Sequence, residues 1–256
     1  MDGMIKMSEA YGAFAYIYDD LMKDVNYPAW VDYIEEIFRK NSVSPKLVLE
    51  LGCGTGSVCI EMAKRGYNMI GGDLSEDMLN VALSKASKEN VDILFLHQDM
   101  RAFELYGTVD AIVCVMDSIN YITDMEDLKK VFKLVNNYLN PGGIFIFDIN
   151  TVYKLEKILG NNTFVVDEEN VFYVWENAYN KDEGLCEFML TFFVNDEGKY
   201  TRIDEYHQQK AYTIEVIQEE LEAAGLTLTN MYEALTFGKP IEKSKRIFFG
   251  CVRGKD

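Results

Sequence analysis

Apolar and polar positions follow two successive patterns along this chain. From residue 47 to residue 149, short apolar runs alternate with segments whose apolar residues recur every three or four positions. The runs at 47–51, 68–72, 92–96, 110–115 and 144–149 predict buried strands. The segment 57–65, the one through Met78, Leu79 and Ala82, and the one with Leu128, Val131, Phe132, Val135 and Leu139 predict helices. Gly66 stops the first helix, Ser75 caps the second, and Thr123 with Glu126 makes a capping box for the third. Asn140-Pro141-Gly142-Gly143 breaks that third helix. Such alternation predicts an α/β fold: a parallel sheet with helices on both faces. Two further helices lead the chain. One is capped by Ser8 and has an aromatic face of Tyr11, Phe14 and Tyr18; the other follows Pro28 and carries Trp30, Ile34, Ile37 and Phe38 on one side.

After residue 150 the period shortens. Segments 171–178, 185–194 and 199–207 are rich in Phe, Tyr, Val and Thr, and hairpin loops at 180–184 and 195–198 separate them. They predict an antiparallel meander. The helical period then returns behind Thr213, with Val216, Ile217, Leu221 and Ala224 before Gly225, and strands at 227–235 and 245–251 close the chain. The expected organisation is one domain of 1–150 and 209–256, its leading helices placed to form a lid, with 151–208 inserted as a small antiparallel subdomain.

Candidate chemistry gathers at the carboxyl ends of the predicted strands, where open α/β sheets bind ligands. The first strand stops at Gly52-Cys53-Gly54-Thr55-Gly56, three alternate glycines that let the backbone approach a ligand, followed at once by a helix N-terminus. The spacing is G-x-G-x-G, not the G-x-G-x-x-G of nicotinamide cofactors, so a dehydrogenase is disfavoured. Three later strands end near acids: Asp73, Asp99 before Met100, and Asp117 after Met116. Asp73 lies roughly twenty residues past Gly52, where this architecture puts an acceptor for ribose hydroxyls.

Together these residues resemble the class I S-adenosylmethionine-dependent methyltransferases. Glu50-Leu51-Gly52-Cys53-Gly54-Thr55-Gly56 matches the family's E/D-x-G-x-G-x-G signature, Asp73 and Asp99 match its acids after strands two and three, and Pro141-Gly142-Gly143 matches the turn before strand five. The opening Tyr11-Gly12-Ala13-Phe14-Ala15-Tyr16-Ile17-Tyr18-Asp19 is similar to that of small bacterial members acting on small molecules. The resemblance implies a Rossmann-like seven-stranded sheet, mostly parallel with the last strand antiparallel. It also implies cofactor contacts from Tyr11, Tyr18, Trp30, Glu50, Gly52, Cys53, Gly54, Gly56, Asp73, Leu74, Met78, Asp99, Met100 and Met116. Glu50 would orient the methionine amino group, Asp99 with Met100 would read the adenine edge, and the inserted sheet of 151–208 would lie over the substrate site.

The acceptor is the more open question. The formal net charge is −17, from 25 Lys+Arg against 42 Asp+Glu, with no basic run, which argues against nucleic acid. Strand four ends in Asp117-Ser118-Ile119-Asn120-Tyr121, unlike the Asn-Pro-Pro-Tyr type of motif of methylases acting on nucleobase amines. A small molecule methylated on nitrogen or oxygen is therefore the expected acceptor. A tRNA or protein substrate, or a non-catalytic cofactor-binding module, stays open as the alternative. Methyl transfer needs a base only if the acceptor must lose a proton, and His207, Tyr18 and Asp117 are the candidate catalytic residues, with Tyr206 and Asn120 nearby. No metal is expected, since no His/Cys/Asp cluster has ligand spacing. Five scattered cysteines without a C-x-x-C pair, no apolar run of membrane length and no signal-peptide pattern give a cytoplasmic expectation.

Overall fold

The computed structural model describes residues 14–15, 17–168, 170–196 and 198–255. Seven strands form the main sheet in the order β10-β11-β5-β4-β1-β2-β3. They are β1 (Leu47–Leu51), β2 (Asn68–Asp73), β3 (Ile93–His97), β4 (Val109–Cys114), β5 (Leu139–Asn150), β10 (Leu226–Glu233) and β11 (Arg246–Arg253). Strands β1 to β5 pair in parallel, and β11 runs antiparallel to both β5 and β10.

The central strands are apolar throughout because both faces are covered. Along β4, Ile112 and Cys114 pack beneath helices α4 (Met125–Tyr138) and α5 (Ile214–Ala223). Ala111 and Val113 face the opposite core with helices α1 (Tyr27–Lys40), α2 (Ser57–Lys64) and α3 (Glu76–Lys88). The first core holds a ladder of fully buried rings, with Phe147 stacked 4.7 Å from Phe145 and 4.9 Å from Phe249. Truncating such a ring to alanine typically costs about 3–5 kcal/mol.

Local sequence explains most element ends. Asn26 Oδ1 accepts from Ala29 N and Pro28 sits in the first turn of α1; Ser75 Oγ accepts from Met78 N; Thr213 Oγ1 accepts from Val216 N. The cap of α4 differs from expectation. Asp124, not Thr123, accepts from Glu126 N and Asp127 N, because its carboxylate reaches both amides of the first turn. Asn140 to Gly143 is likewise no loop before a strand: β5 begins at Leu139, and these residues bulge between the Val109–Leu139 and Ala111–Ile144 pairings.

The second sheet has four antiparallel strands in the order β6-β7-β8-β9: Thr163–Asp167, Val171–Asn180, Leu185–Asp196 and Lys199–Lys210. Two of its features escape a pattern reading. Strand β6 is a short edge strand, and a π-helix over Lys154–Leu159 packs Leu155 and Leu159 against Cys186 and Phe188. The leading helical segment covers the rest of that face, Phe14 packing on Phe192 and Ile203.

Candidate active site

The turn after β1 is shaped by two different demands on glycine. Gly52, Gly54 and Gly56 all have positive φ, +68°, +52° and +73°. A Cβ at Gly52 would stand 2.9 Å from Ser118 Oγ, and one at Gly56 2.9 Å from the Ala82 Cβ, so those two are dictated by packing as well. A Cβ at Gly54 would meet nothing within 4 Å: it would project into open space above the turn. Asp73 braces this floor from the end of β2, accepting from Gly54 N at 2.7 Å and from Ser75 N at 2.8 Å. Burial pushes its carboxyl up, opposed by those backbone donors.

Above the turn lies a cavity of about 870 Å³. Tyr18, Glu50, Gly52, Cys53, Gly54, Asp73, Leu74, Met78, Asp99, Met100, Met116 and His207 all line it, brought together from the ends of β1 to β4, from β9, from α3 and from the leading segment. Glu50 is buried and its Oε2 accepts from no described residue; burial lifts its carboxyl to about 8. Asp99 is held by Arg101, whose Nε lies 2.9 Å from both carboxylate oxygens, and this pairing lowers its pKa. Burial raises the Tyr18 phenol well above its ordinary value, so it stays protonated at neutral pH.

Three expected residues stand off the cavity wall, and Tyr11 lies outside the described residues. Gly56 caps α2 and is covered by Ala82 and Phe95. Trp30 packs on Phe248 at 5.5 Å, with the Arg246 guanidinium 5.6 Å from its ring. Asp117 is consumed by structure: it pairs with Arg246 and accepts from Gln209 Nε2 at 2.6 Å. Its neighbour across that arginine, Asp148, is fully buried and accepts from Met116 N at 2.6 Å and Asp117 N at 3.1 Å. Those two residues sit side by side in the left-handed region, φ 61° and 57°, so the ion pair holds a strained bend that carries Met116 to the cavity. Asn120 is also structural, its amide spent on the backbones of Asn150 and Lys210.

His207 enters the cavity from β9. Its ring lies 6.0 Å from Phe14 and 5.8 Å from Tyr121, and burial lowers its pKa, so it is neutral at pH 7. Adjacent Tyr206 faces outward and donates to Glu187 at 2.6 Å. Several participants were not legible as motifs. Arg101, Ser118 and Tyr121 line the cavity. Lys85 and Asp19 clasp the turn, with Asp19 Oδ1 accepting from Thr55 Oγ1 at 2.7 Å and from Lys85 Nζ at 2.9 Å. Glu205 lies beside His207; period-two reading of 203–209 would have put Glu205, His207 and Gln209 on one buried face.

Comparison with known proteins agrees with this architecture. The family model described as "Methyltransferase domain" matches residues 48–143. The chain is 35% identical to "Putative methyltransferase YqeM" of Bacillus subtilis (strain 168), over 96% of its own length and 98% of that protein's. The crystal structure of an S-adenosylmethionine-dependent methyltransferase from Clostridium acetobutylicum ATCC 824 is 38% identical. It superposes with a TM-score of 0.88, covering 95% of this chain and 99% of that one. The sugar N-methyltransferase KedS8 from Streptoalloteichus sp ATCC 53650 shares the fold at 20% identity, with a TM-score of 0.77 over 93% of this chain and 92% of its own. No helix among the described residues is long and apolar enough to cross a membrane. The glycine turn, the seven-stranded sheet with β11 reversed and these full-length relatives make the chain a member of the S-adenosylmethionine-dependent methyltransferases, an enzyme that uses S-adenosylmethionine as its cofactor.

Proposed function

We propose that this enzyme methylates nitrogen or oxygen of a small molecule held between the glycine turn and β9. The observation that carries the reading is the cavity's two-sided wall. Glu50, Gly52, Gly54 and Asp73 line one side, while Phe14, Tyr18, Tyr121 and His207 line the other. Its volume of about 870 Å³ falls in the range of small-ligand sites. Fold neighbours that include the sugar N-methyltransferase KedS8 are compatible with this class. In this reading 151–208 is an insertion roofing the acceptor, and 1–150 with 209–256 holds the cofactor.

The residues present fit that cofactor. Glu50 Oε2 is a buried acceptor lacking a donor, which an amino group would supply, and Gly54 leaves the floor open for close approach. Bound there, S-adenosylmethionine supplies a methyl group already activated on a sulfonium. Asp73 keeps lone pairs that would serve the ribose hydroxyls beyond its two backbone donors, and Asp99 with the Met100 backbone, both on the cavity wall, would meet the adenine edge. The Phe14 and Tyr18 rings exclude water and offer π-faces to a cationic centre. His207, neutral at pH 7, can accept a proton from the acceptor.

Turnover of methyl-labelled cofactor on a panel of amines, alcohols and phenols tests the assignment. Label should pass to a small molecule and not to bulk RNA or protein; transfer only to a macromolecule would overturn it. Asp73→Ala should weaken cofactor binding by about 1–3 kcal/mol in calorimetry, the cost of removing a buried hydrogen-bonding partner.

A further inference from the structure

The leading segment is clasped to the glycine turn from outside the cavity. This segment places Phe14 and Tyr18 on the cavity wall. Its apolar side chains pack chiefly on the four-stranded sheet, with Phe14 5.5 Å from Phe192 and Ile17 and Leu21 in the same cluster. Its polar tie runs the other way. Asp19 Oδ1 accepts from Thr55 Oγ1 at 2.7 Å, and Asp19 Oδ1 and Oδ2 lie 2.9 Å and 2.7 Å from Lys85 Nζ. That ammonium also donates to Ser57 Oγ at 2.8 Å and to Thr55 Oγ1 at 3.2 Å. Thr55 is buried, and the Lys85 side chain keeps only 26% of its exposure.

Helix chemistry alone does not account for a lysine head in this place. Lys85 belongs to the last turn of α3, where a cation is favoured, but its ammonium lies at the first residue of α2. The N–H groups there carry partial positive charge, so they oppose an ammonium and favour a carboxylate. Asp19 supplies that carboxylate, and Lys85 fastens it: the ammonium's three donors meet Asp19, Thr55 and Ser57. Thr55 and Ser57 line the main cavity, whereas Lys85 lines a smaller one, of about 270 Å³, that shares Ser57 with it. Lys85 therefore acts on the main cavity through its partners. A clasp of a few partly exposed hydrogen bonds opens at lower cost than a strand of the core.

We propose that Lys85 is the latch of the leading segment: it pins Asp19 to the glycine turn, holds Phe14 and Tyr18 across the cavity, and must release before a ligand enters or leaves. The inference rests on the reading of this cavity as the cofactor and acceptor site. Lys85 is a positioning residue, bonded to Asp19, Thr55 and Ser57 and not to the reacting atoms. Opening breaks the ammonium's bonds to Asp19, while the contacts of Phe14 with Phe192 and Ile203 stay made. A closed segment slows entry and exit alike, so the latch sets rates more than affinity.

Binding of S-adenosylhomocysteine to the immobilised full chain, followed by surface plasmon resonance, tests the latch. Lys85→Met keeps the stem and removes the three donors. It should speed association and dissociation each by about tenfold and move Kd by less than about threefold. Asp19→Ala should do the same, and the double variant should be no faster than either, because both break one clasp. Unchanged rates, faster dissociation with association unaltered, or effects that multiply in the double variant would each overturn the latch while the reading of the cavity stands. Hydrogen exchange on the wild type decides the matter even if a variant folds poorly. Saturating S-adenosylhomocysteine should slow exchange of the amides of 17–25 by about tenfold. No slowing with the ligand bound overturns the latch alone, and failure of the wild type to bind S-adenosylhomocysteine overturns the reading of the cavity as well.

Discussion

The two walls of the cavity are built in different ways. The glycine-turn wall is made largely of backbone: positive-φ glycines, amides donating to Asp73, and strand ends fixed by parallel pairing. Its residues are near one another in sequence or recur at strand ends. The β9 wall is made of side chains whose neighbours come from cross-strand rows, so His207, the β9 residue that lines the cavity, lies opposite Phe188 through register rather than spacing. The first wall specifies a ligand through close approach. The second presents aromatic rings around one neutral imidazole.

The link between the walls is the Asp117–Arg246–Asp148 assembly, which touches β9 through Gln209 and the turn side through Met116. Arg246→Leu would leave two carboxylates without their cation, Asp148 fully buried among them, and should cost about 3–5 kcal/mol in denaturant unfolding. A loss near zero would mean that the walls are independent. Gly52→Ala should act on one wall only. Left-handed backbone and overpacking against Ser118 together should weaken S-adenosylmethionine binding by about 2–5 kcal/mol, read by calorimetry.

Titration distinguishes two buried glutamates, Glu50 at the glycine turn and Glu205 behind His207 on β9, whose carboxyls burial lifts to about 8 and about 7. A folded-state pKa above the unfolded value means that the folded protein holds the proton longer. The stabilisation is complete below the ordinary glutamate value and is lost as pH rises through 7 and then 8. Melting of the ligand-free protein should show two such losses, both setting in above the ordinary glutamate value: about 3 kcal/mol complete near pH 7 for Glu205 and about 5 kcal/mol complete near pH 8 for Glu50. Glu205→Gln should remove the lower step and Glu50→Gln the upper. Saturating S-adenosylmethionine should flatten the upper step alone, because an amino group beside Glu50 favours the carboxylate. At the small end, Asp124→Ala should cost about 1 kcal/mol of stability and Thr123→Ala almost nothing, with neither affecting binding.

The same contrast explains what the sequence discloses. The strands and helices of the main sheet follow from apolar period, and the turn-side residues from glycine spacing and strand-end acids; all but Gly56 and Asp117 of the glycines and acids expected there reach the cavity. Trp30 and Asp117 mislead because an aromatic on a helix and an acid at a strand end look the same whether they face a ligand or an arginine on β11, more than a hundred residues away. The π-helix and β6 lack a strong period. Glu205 carries no motif at all, and only alternation along a strand whose buried face is known reveals it.

That alternation constrains how the chain can change in length. Tyr206 and Gln208 project to the outer side and reach Glu187, while Glu205, His207 and Gln209 project inward. Inserting or deleting one residue near the 195–199 turn would exchange the two sets if β9 slid to keep its hydrogen bonds. It would turn the carboxylate and imidazole to solvent and break the tie from Gln209 to Asp117. A change of two residues would preserve every facing. Length variation at this hairpin should therefore be tolerated in even steps and forbidden in odd ones, unless a β-bulge absorbs the extra residue before Glu205.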